Sequence, residues 1–269
     1  MDELHEKQEK LREILRGMGS AAVAFSAGVD STYLLKVARE TLGEGVIAVT
    51  VDTGTFPEKE LREAESFCNS ENITLVRINA DVYTVGGFVI NGPDRCYHCK
   101  KELFYHIKCA ALEHGIIHVI EGSNLDDAGD YRPGMRAIAE LGVRSPLREA
   151  GLTKSDIRAL SKELGLNTWD KPSFACLATR IAYGERITPE KIAMIGEAEE
   201  YIASLGFRQY RVRMQNGEAR IELLPEDIER FLSGGTRESA RDRLHALGFK
   251  YVSLDLDGYR AGSMNAVLG

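Results

Sequence analysis

The chain has no excess of positive charge. Its 34 lysines and arginines face 41 aspartates and glutamates, for a net charge of −7. That balance argues against sequence-blind gripping of a nucleic-acid backbone, which takes a basic face, though it leaves room for a local basic patch. No apolar run approaches the ~18 residues of a membrane span. The first residues, MDELHEKQEKLREIL, are charged throughout rather than shaped as a leader. The expectation is a cytoplasmic protein with neither nucleic acid nor membrane as a partner. Cysteine is scarce and odd in number, five in 269 residues, which argues against a disulfide framework. Cysteines close together in such a chain bind metal or do chemistry. Long repeats and low-complexity tracts are absent. What is there, 43% hydrophobic and 28% charged residues, is the composition of an ordinary globular protein with a substantial core.

Residues 21–25, 46–51, 73–78 and 116–120 are short apolar runs that read as buried strands. Helical patterns separate them. Leu4, Leu11, Ile14 and Leu15 are helically spaced, Leu34, Leu35, Val37 and Ala38 form an apolar face, Pro57 opens a charged helix, and a further helix runs from about Cys99 to His114. This alternation predicts an α/β fold, a parallel sheet with helices on both faces. GLTKSDIRALSKELGL, residues 151–166, carries an N-cap at Thr153 and a stop at Gly165. WDKPSFACLATRIAYGERIT is polar, turn-rich and aperiodic, the mark of a functional loop or linker. After Thr188 the pattern changes to a helix over 189–205 and alternating strands at 209–214 and 218–223 joined by the hairpin signal Asn216-Gly217. Helices near 225–232 and 236–247 and a strand at 250–254 complete it. The expected organisation is an α/β domain over 1–170, a cysteine-bearing loop over 171–187 and a small C-terminal α+β domain over 188–269.

FSAGVDSTYLL, residues 25–35, sits between the first strand and its helix, where open α/β sheets bind ligands. Gly28 admits close approach of an anion, and N–H groups at the helix start can cradle phosphate with the hydroxyls of Ser26 and Ser31. No Gly-Lys-Ser/Thr follows, which excludes the common phosphate loop. Asp30 is out of place for simple anion binding and in place if Mg²⁺ accompanies the phosphates. The bland alternative is a helix-capping turn, and the residues alone leave the two even.

The stretch resembles the PP-loop, SGGxDS, of the ATP pyrophosphatases, which bind ATP, form an adenylate and release pyrophosphate as one unit. The resemblance implies the adenine nucleotide alpha-hydrolase-like fold. It also implies ATP contacts from Ser26, Gly28, Val29, Asp30 and Ser31, with Asp30 catalytic and Asp52, just past the second strand, near the adenosine. Ala27 departs from the pattern at its first glycine, and alanine does not suit a backbone position of positive φ. The 151–166 segment is similar to one common in the superfamily. Asp127 and Asp130, after the fourth strand, lie at the sheet end that would meet ATP or Mg²⁺; as loop residues they fit a turn equally well.

Cys96-Tyr-His-Cys99 is a CxxC, whose thiolates can share a metal or a disulfide. Cys176 lies in the aperiodic loop, within SFACLATR, while Cys68 and Cys109 fall in helical patterns as packing residues. Three cysteines outside regular elements are one ligand short of a Cys₄ site. His98 would complete a Cys₃His zinc site. A ligand missing on purpose would leave one iron of a [4Fe–4S] cluster open to substrate or sulfide. Both readings stand, with structural zinc the blander.

The PP-loop, DYRPG at 130–134, LGVRSPL at 141–147, TRIAYG at 179–184, YRVRMQNGEARIEL at 210–223 and LDLDGYR at 254–260 together resemble the LarE family over nearly the whole chain. LarE-type enzymes are ATP-dependent sulfur transferases that act on pyridinium-3,5-biscarboxylic acid mononucleotide. Their dithiocarboxylate product is the precursor of the nickel-pincer nucleotide, the cofactor of lactate racemase. One type sacrifices the sulfur of a single cysteine. The other uses three cysteines to hold a [4Fe–4S] cluster whose open iron can carry an extra sulfide. The CxxC plus Cys176 matches the second type. The resemblance therefore implies Cys96, Cys99 and Cys176 as cluster ligands, ATP and Mg²⁺ as further cofactors, a sulfide or sulfur donor, and a homo-oligomer. Sacrifice of Cys176 is the alternative within the family.

Each remaining candidate has a plain reading beside the functional one. Lys100, directly after the CxxC, could neutralise a phosphate or carboxylate during catalysis, or be a solvated helix residue. Arg180 could meet the substrate, or form a surface ion pair. Arg211 and Arg213, two apart on one strand, share a face and make a fork for a phosphate, or pair with Glu218 or Glu222 across the hairpin. Matching to the family's RVR segment implies the substrate phosphate for both. The same matching offers Glu199 and Glu222 to a divalent cation or to substrate, with a solvated helix face as the alternative for Glu199. Three rival functions remain: a cluster-dependent tRNA thiolase of the PP-loop superfamily, an amidotransferase-like ligase that leaves the clustered cysteines without a task, and a nucleotide sensor with structural zinc.

Overall fold

The computed structural model describes residues 3–129, 133–172, 175–260 and 262–264. Asp130 and part of the DYRPG motif lie outside the described residues, as do Ser173 and Phe174 ahead of Cys176. The chain forms two compact units. One comprises Met1–Thr53, Pro57–Val82 and Cys96–Phe174; the other comprises Gly54–Phe56, Tyr83–Arg95 and Ala175–Gly269. The second unit thus draws on two stretches from the first hundred residues, which no division into continuous ranges contains.

The strands are β1 (Ala21–Ala24), β2 (Val46–Asp52), β3 (Thr74–Asn79), β4 (Val119–Ile120), β5 (Tyr210–Gln215), β6 (Glu218–Leu223) and β7 (Tyr251–Leu254). The helices of the N-terminal half are α1 (Glu3–Arg16), α2 (Val29–Leu42), α3 (Glu58–Ser70), α4 (Gly86–Val89) and α5 (Arg95–Glu113). Those that follow are α6 (Pro133–Glu140), α7 (Pro146–Glu149), α8 (Lys154–Glu163), α9 (Pro189–Ser204), α10 (Pro225–Leu232) and α11 (Thr236–Ala246). Among the described residues, none is long and apolar enough to cross a membrane.

In the first unit β3, β2, β1 and β4 lie side by side in that order, all parallel. Alternation along the strands divides the core in two. Val23, Ala48 and Ile120 face Leu34, Leu35 and Val37 of α2, with α1 and α8 behind. Ala22, Ile47 and Val49 face Phe104, Ile107 and Ala111 of α5. Helices therefore cover both faces, and the ligand-binding ends of all four strands point one way.

Two boundaries depart from the sequence pattern. The apolar period predicts a helix start near Cys99, yet α5 begins at Arg95 and carries both CxxC cysteines in its first turns. Its opening residues Arg-Cys-Tyr-His-Cys show no apolar spacing, so the pattern cannot register them; the start is set by the Gly92–Arg95 turn, where Arg95 N donates to Gly92 O at 3.0 Å. The run 116–120 predicts a five-residue strand, but only Val119 and Ile120 pair. Gly115, at φ 72°, ends α5, and Ile116 N donates back to Ala111 O at 2.9 Å.

In the second unit β5 and β6 form the hairpin, with Asn216 at φ 51° and Gly217 at φ 80°, both left-handed as a type I′ turn requires. β7 adds in parallel to β6. Ile192, Ile195, Ala198 and Ile202 form the buried face of α9.

Candidate active site

The PP-loop in the first unit spans the end of β1 and the start of α2. Ser26 Oγ and Ser31 Oγ lie 3.1 Å apart, and Ser31 Oγ donates to Gly28 O at 3.3 Å. Gly28 precedes the helix at φ −80°, so its lack of a side chain is not required by the backbone. The positive φ falls on Ala27, at 53°. An L-residue there costs about 1–2 kcal/mol, so the departure from the Gly-Gly pattern coincides with the one strained position of the loop. Val29 is buried as the first residue of α2.

Asp30 Oδ2 accepts from Lys154 Nζ at 2.5 Å, and Asp30 Oδ1 accepts from Asn124 Nδ2 at 3.4 Å. Lys154 opens α8 behind a full capping box, Thr153 with Asp156, and its own N–H donates to Asp126 at 2.8 Å. Asp127 accepts from Asn124 N at 3.0 Å, tightening the loop after β4. Gly122 presses on the PP-loop: a Cβ there would lie 3.0 Å from Ser31 N and 3.3 Å from Asp30 Cβ. Asp52 ends β2 with Arg77 Nη2 at 3.8 Å. Asp30, Asn124, Asp127 and Lys154 thus gather beside the loop. Lys154 and Asn124 escape sequence reasoning as site residues; the capping pattern announces the helix start but not what its lysine reaches.

Cys96 and Cys99 lie three apart, on one side of α5, half-buried. Lys100 packs under α6, where a Cβ on Gly134 would meet its Cδ at 2.6 Å and Cys96 O at 3.4 Å. None of the five cysteines is in a disulfide. Burial pushes the Cys68 thiol up to about 12, keeping it protonated and inert. Within each unit, among the described residues, no three His, Cys, Asp or Glu side chains group to hold a metal. In kind, the Cys96, Cys99 and Cys176 thiols are the donor set that iron–sulfur clusters use.

In the second unit Cys176 heads a 3₁₀ turn over Leu177–Arg180. Arg180, a candidate substrate contact by sequence, is 1% exposed and turned inward. Its Nε and Nη2 bind the two oxygens of Glu199 at 2.7 and 3.0 Å, while Nη1 donates to Ala175 O at 3.0 Å and Thr179 Oγ1 at 2.8 Å. Glu199 also accepts from Val212 N at 3.0 Å, so it sits in a buried ion pair rather than on a solvated helix face. Glu222, fully buried, pairs with Arg213 at 2.9 Å and with Arg220 at 3.4 Å. Both glutamates, candidates for a divalent cation by sequence, are thus counter-ions of arginines. Arg211 stacks over the Tyr259 ring at 4.9 Å and donates to Tyr210 O at 2.6 Å. Burial, with Arg180 close by, pushes its guanidinium down to about 10. Arg180 pairs with Glu199, and Arg213 and Arg220 pair with Glu222. A small opening of about 50 Å³, lined by Arg213, Glu218, Arg220 and Met264 among others, reaches this cluster.

No family model matches the chain. An uncharacterized protein of Synechocystis sp. is 40% identical over 265 residues, covering 98% of this chain and 99% of its own. The pyridinium-3,5-bisthiocarboxylic acid mononucleotide synthase of Lactiplantibacillus plantarum is 38% identical over 269 residues, covering 100% of this chain and 97% of its own. The chain belongs to the LarE family. LarE-type chains share the PP-loop with a wider group: a glutamine-hydrolyzing GMP synthase chain of Archaeoglobus fulgidus is 28% identical over 209 residues, 72% of this chain and 67% of its own. The LarE assignment makes this protein an enzyme, of the ATP-dependent sulfur transferase type, and the parallel sheet agrees with the PP-loop fold.

Proposed function

We propose that the protein adenylates the carboxylates of pyridinium-3,5-biscarboxylic acid mononucleotide with ATP and replaces AMP with sulfur, using a [4Fe–4S] cluster held by Cys96, Cys99 and Cys176. The observation that supports sulfur transfer onto this substrate is the full-length similarity to the Lactiplantibacillus synthase; the cluster rests on the number and kind of the cysteines alone. Ser26, Gly28, Val29 and Ser31 surround the ATP phosphates, and Asp52 lies toward the adenosine. Asp30 and Asp127 hold Mg²⁺ against the phosphates. Lys154, paired with Asp30 at 2.5 Å, supplies positive charge beside the phosphates. A substrate carboxylate oxygen attacks the α-phosphorus, the bond to the bridging oxygen breaks, and pyrophosphate leaves with the electron pair. A sulfur nucleophile then attacks the acyl carbon and AMP departs, leaving a thiocarboxylate; a second round gives the dithiocarboxylate. Cys96, Cys99 and Cys176 would hold the cluster, which would supply the sulfide. Lys100 offsets negative charge beside the cysteines. Arg211 and Arg213, two apart on β5 and on one face of it, take the substrate phosphate. Arg180 holds the Cys176 turn in shape through the carbonyl of Ala175. A cytoplasmic homo-oligomer belongs to the same proposal on family grounds.

The test joins composition to turnover. Anaerobically purified protein should carry about four irons and labile sulfides per chain, lost in Cys176→Ala. With ATP it should release pyrophosphate and AMP only when the pyridinium dicarboxylate is present, and Asp30→Ala should abolish both. Zinc in place of iron, or a chain one sulfur lighter after turnover, would replace the cluster by a structural metal or by sacrifice of Cys176. Pyrophosphate release indifferent to the substrate would overturn the reading as a whole.

A further inference from the structure

The segment after α8 makes a contact that the proposed reaction does not use. Lys171 Nζ lies 2.7 Å from Glu60 Oε2 and 2.6 Å from Glu63 Oε2, both on α3, and donates to the carbonyl oxygen of Ala27 at 3.0 Å. Its side chain is only 16% exposed. Its main chain is fixed as well: Lys171 N donates to Thr168 O at 3.0 Å, and Arg158 of α8 donates to the carbonyls of Trp169 at 2.6 Å and Lys171 at 2.9 Å. A buried ammonium on an anchored backbone thus spends one of its bonds on the strained residue of the PP-loop.

The peptide geometry says what that bond does. In a planar trans peptide the C=O and the following N–H point in opposite directions. With the Ala27 carbonyl held by Lys171, the Gly28 N–H is turned to the other side. A left-handed alanine persists only where its surroundings over-determine it. Released, the 27–28 peptide could rotate out of that strained state, bringing an electronegative carbonyl where the loop needs a donor. We infer that Lys171 is a positioning residue for the nucleotide, locking this peptide so that the loop offers N–H rather than C=O to the ATP phosphates. The inference rests on the reading of this loop as the ATP site.

Lys171→Met alone would strand two half-buried carboxylates and risk unfolding, so the informative comparison starts from Glu60→Gln with Glu63→Gln. That double variant keeps the ammonium on the Ala27 carbonyl. Adding Lys171→Met removes the tether and leaves no buried charge unpaired. Calorimetric titration with Mg²⁺ and α,β-methylene-ATP should find the double variant within about threefold of wild type and the triple variant about tenfold weaker or more, the loss expected for one hydrogen bond to a charged group. Binding of adenosine, which has no phosphate, should be the same in both variants. Equal nucleotide affinity in double and triple variants overturns the role of Lys171, as does a double variant already as weak as the triple. Wild-type protein that binds no nucleotide overturns the ATP site together with the lysine's role.

Discussion

Arg211 is a costly charge in the unliganded second unit. Its guanidinium is pushed down to about 10 by burial and by Arg180 nearby. A cation whose folded pKa lies below its unfolded value weakens the fold at every pH below both. That loss is recovered only as pH rises through about 10 toward 12.5. At neutral pH the full penalty is present. Arg211→Met should therefore raise the urea midpoint of the unliganded protein, by about 1 kcal/mol of stability, and weaken binding of the phosphate-bearing substrate. Urea titrations with and without substrate check both; a variant that loses stability without ligand would remove the electrostatic argument. Arg180 and Arg213 each hold a buried carboxylate within 3.0 Å, so the same change at either strands a charge and carries the opposite sign.

At the scale of elements, one side chain organises two segments of the second unit. Asn91, fully buried at φ 59°, donates from Nδ2 to the carbonyls of Ile181, Ala182 and Glu185 at 3.3, 2.8 and 3.0 Å. Its own carbonyl accepts from Gly184 N at 3.0 Å. Asn91→Ala leaves several buried groups without partners and places alanine at positive φ, for a loss of at least about 3 kcal/mol. Thermal unfolding should register the loss. Hydrogen exchange should quicken at the Gly184 and Ile187 amides while Val212 in β5 stays protected. The elements legible in the sequence are those whose signals are local. Asn216-Gly217 sets its turn by two backbone angles, and Thr153 caps α8 by a bond three residues away. The first turns of α5 are illegible because their polar residues carry no period, and α6 because Pro133-Gly134 reads as a turn. The same divide runs through the site. Ser26, Asp30 and Ser31 fall within one short stretch, residues 26–31, and show as a motif. Lys154 and Lys171 join that loop from 124 and 144 residues away, a pairing that only the folded sheet creates.

For the molecule as a whole, charge separates the proposed substrate from the chief rival. A net charge of −7 leaves little counterion release to drive binding to a polyanion. Unfractionated tRNA should not be retained in a gel-shift assay at about 0.1 M salt, whereas a mononucleotide needs only a few local arginines. Retention with a steep salt dependence would restore the tRNA thiolase.

The discontinuity of the second unit bears on synthesis as well as on architecture. Phe88 and Val89 are buried there, and Val89 O accepts from Ile187 N, about a hundred residues downstream. At about 5–20 residues per second, the ribosome exposes these apolar side chains for roughly 5–20 s before their partners are made. A nascent chain stalled inside that window would carry bare hydrophobic surface beside its two newly made thiols, the species in most need of a chaperone.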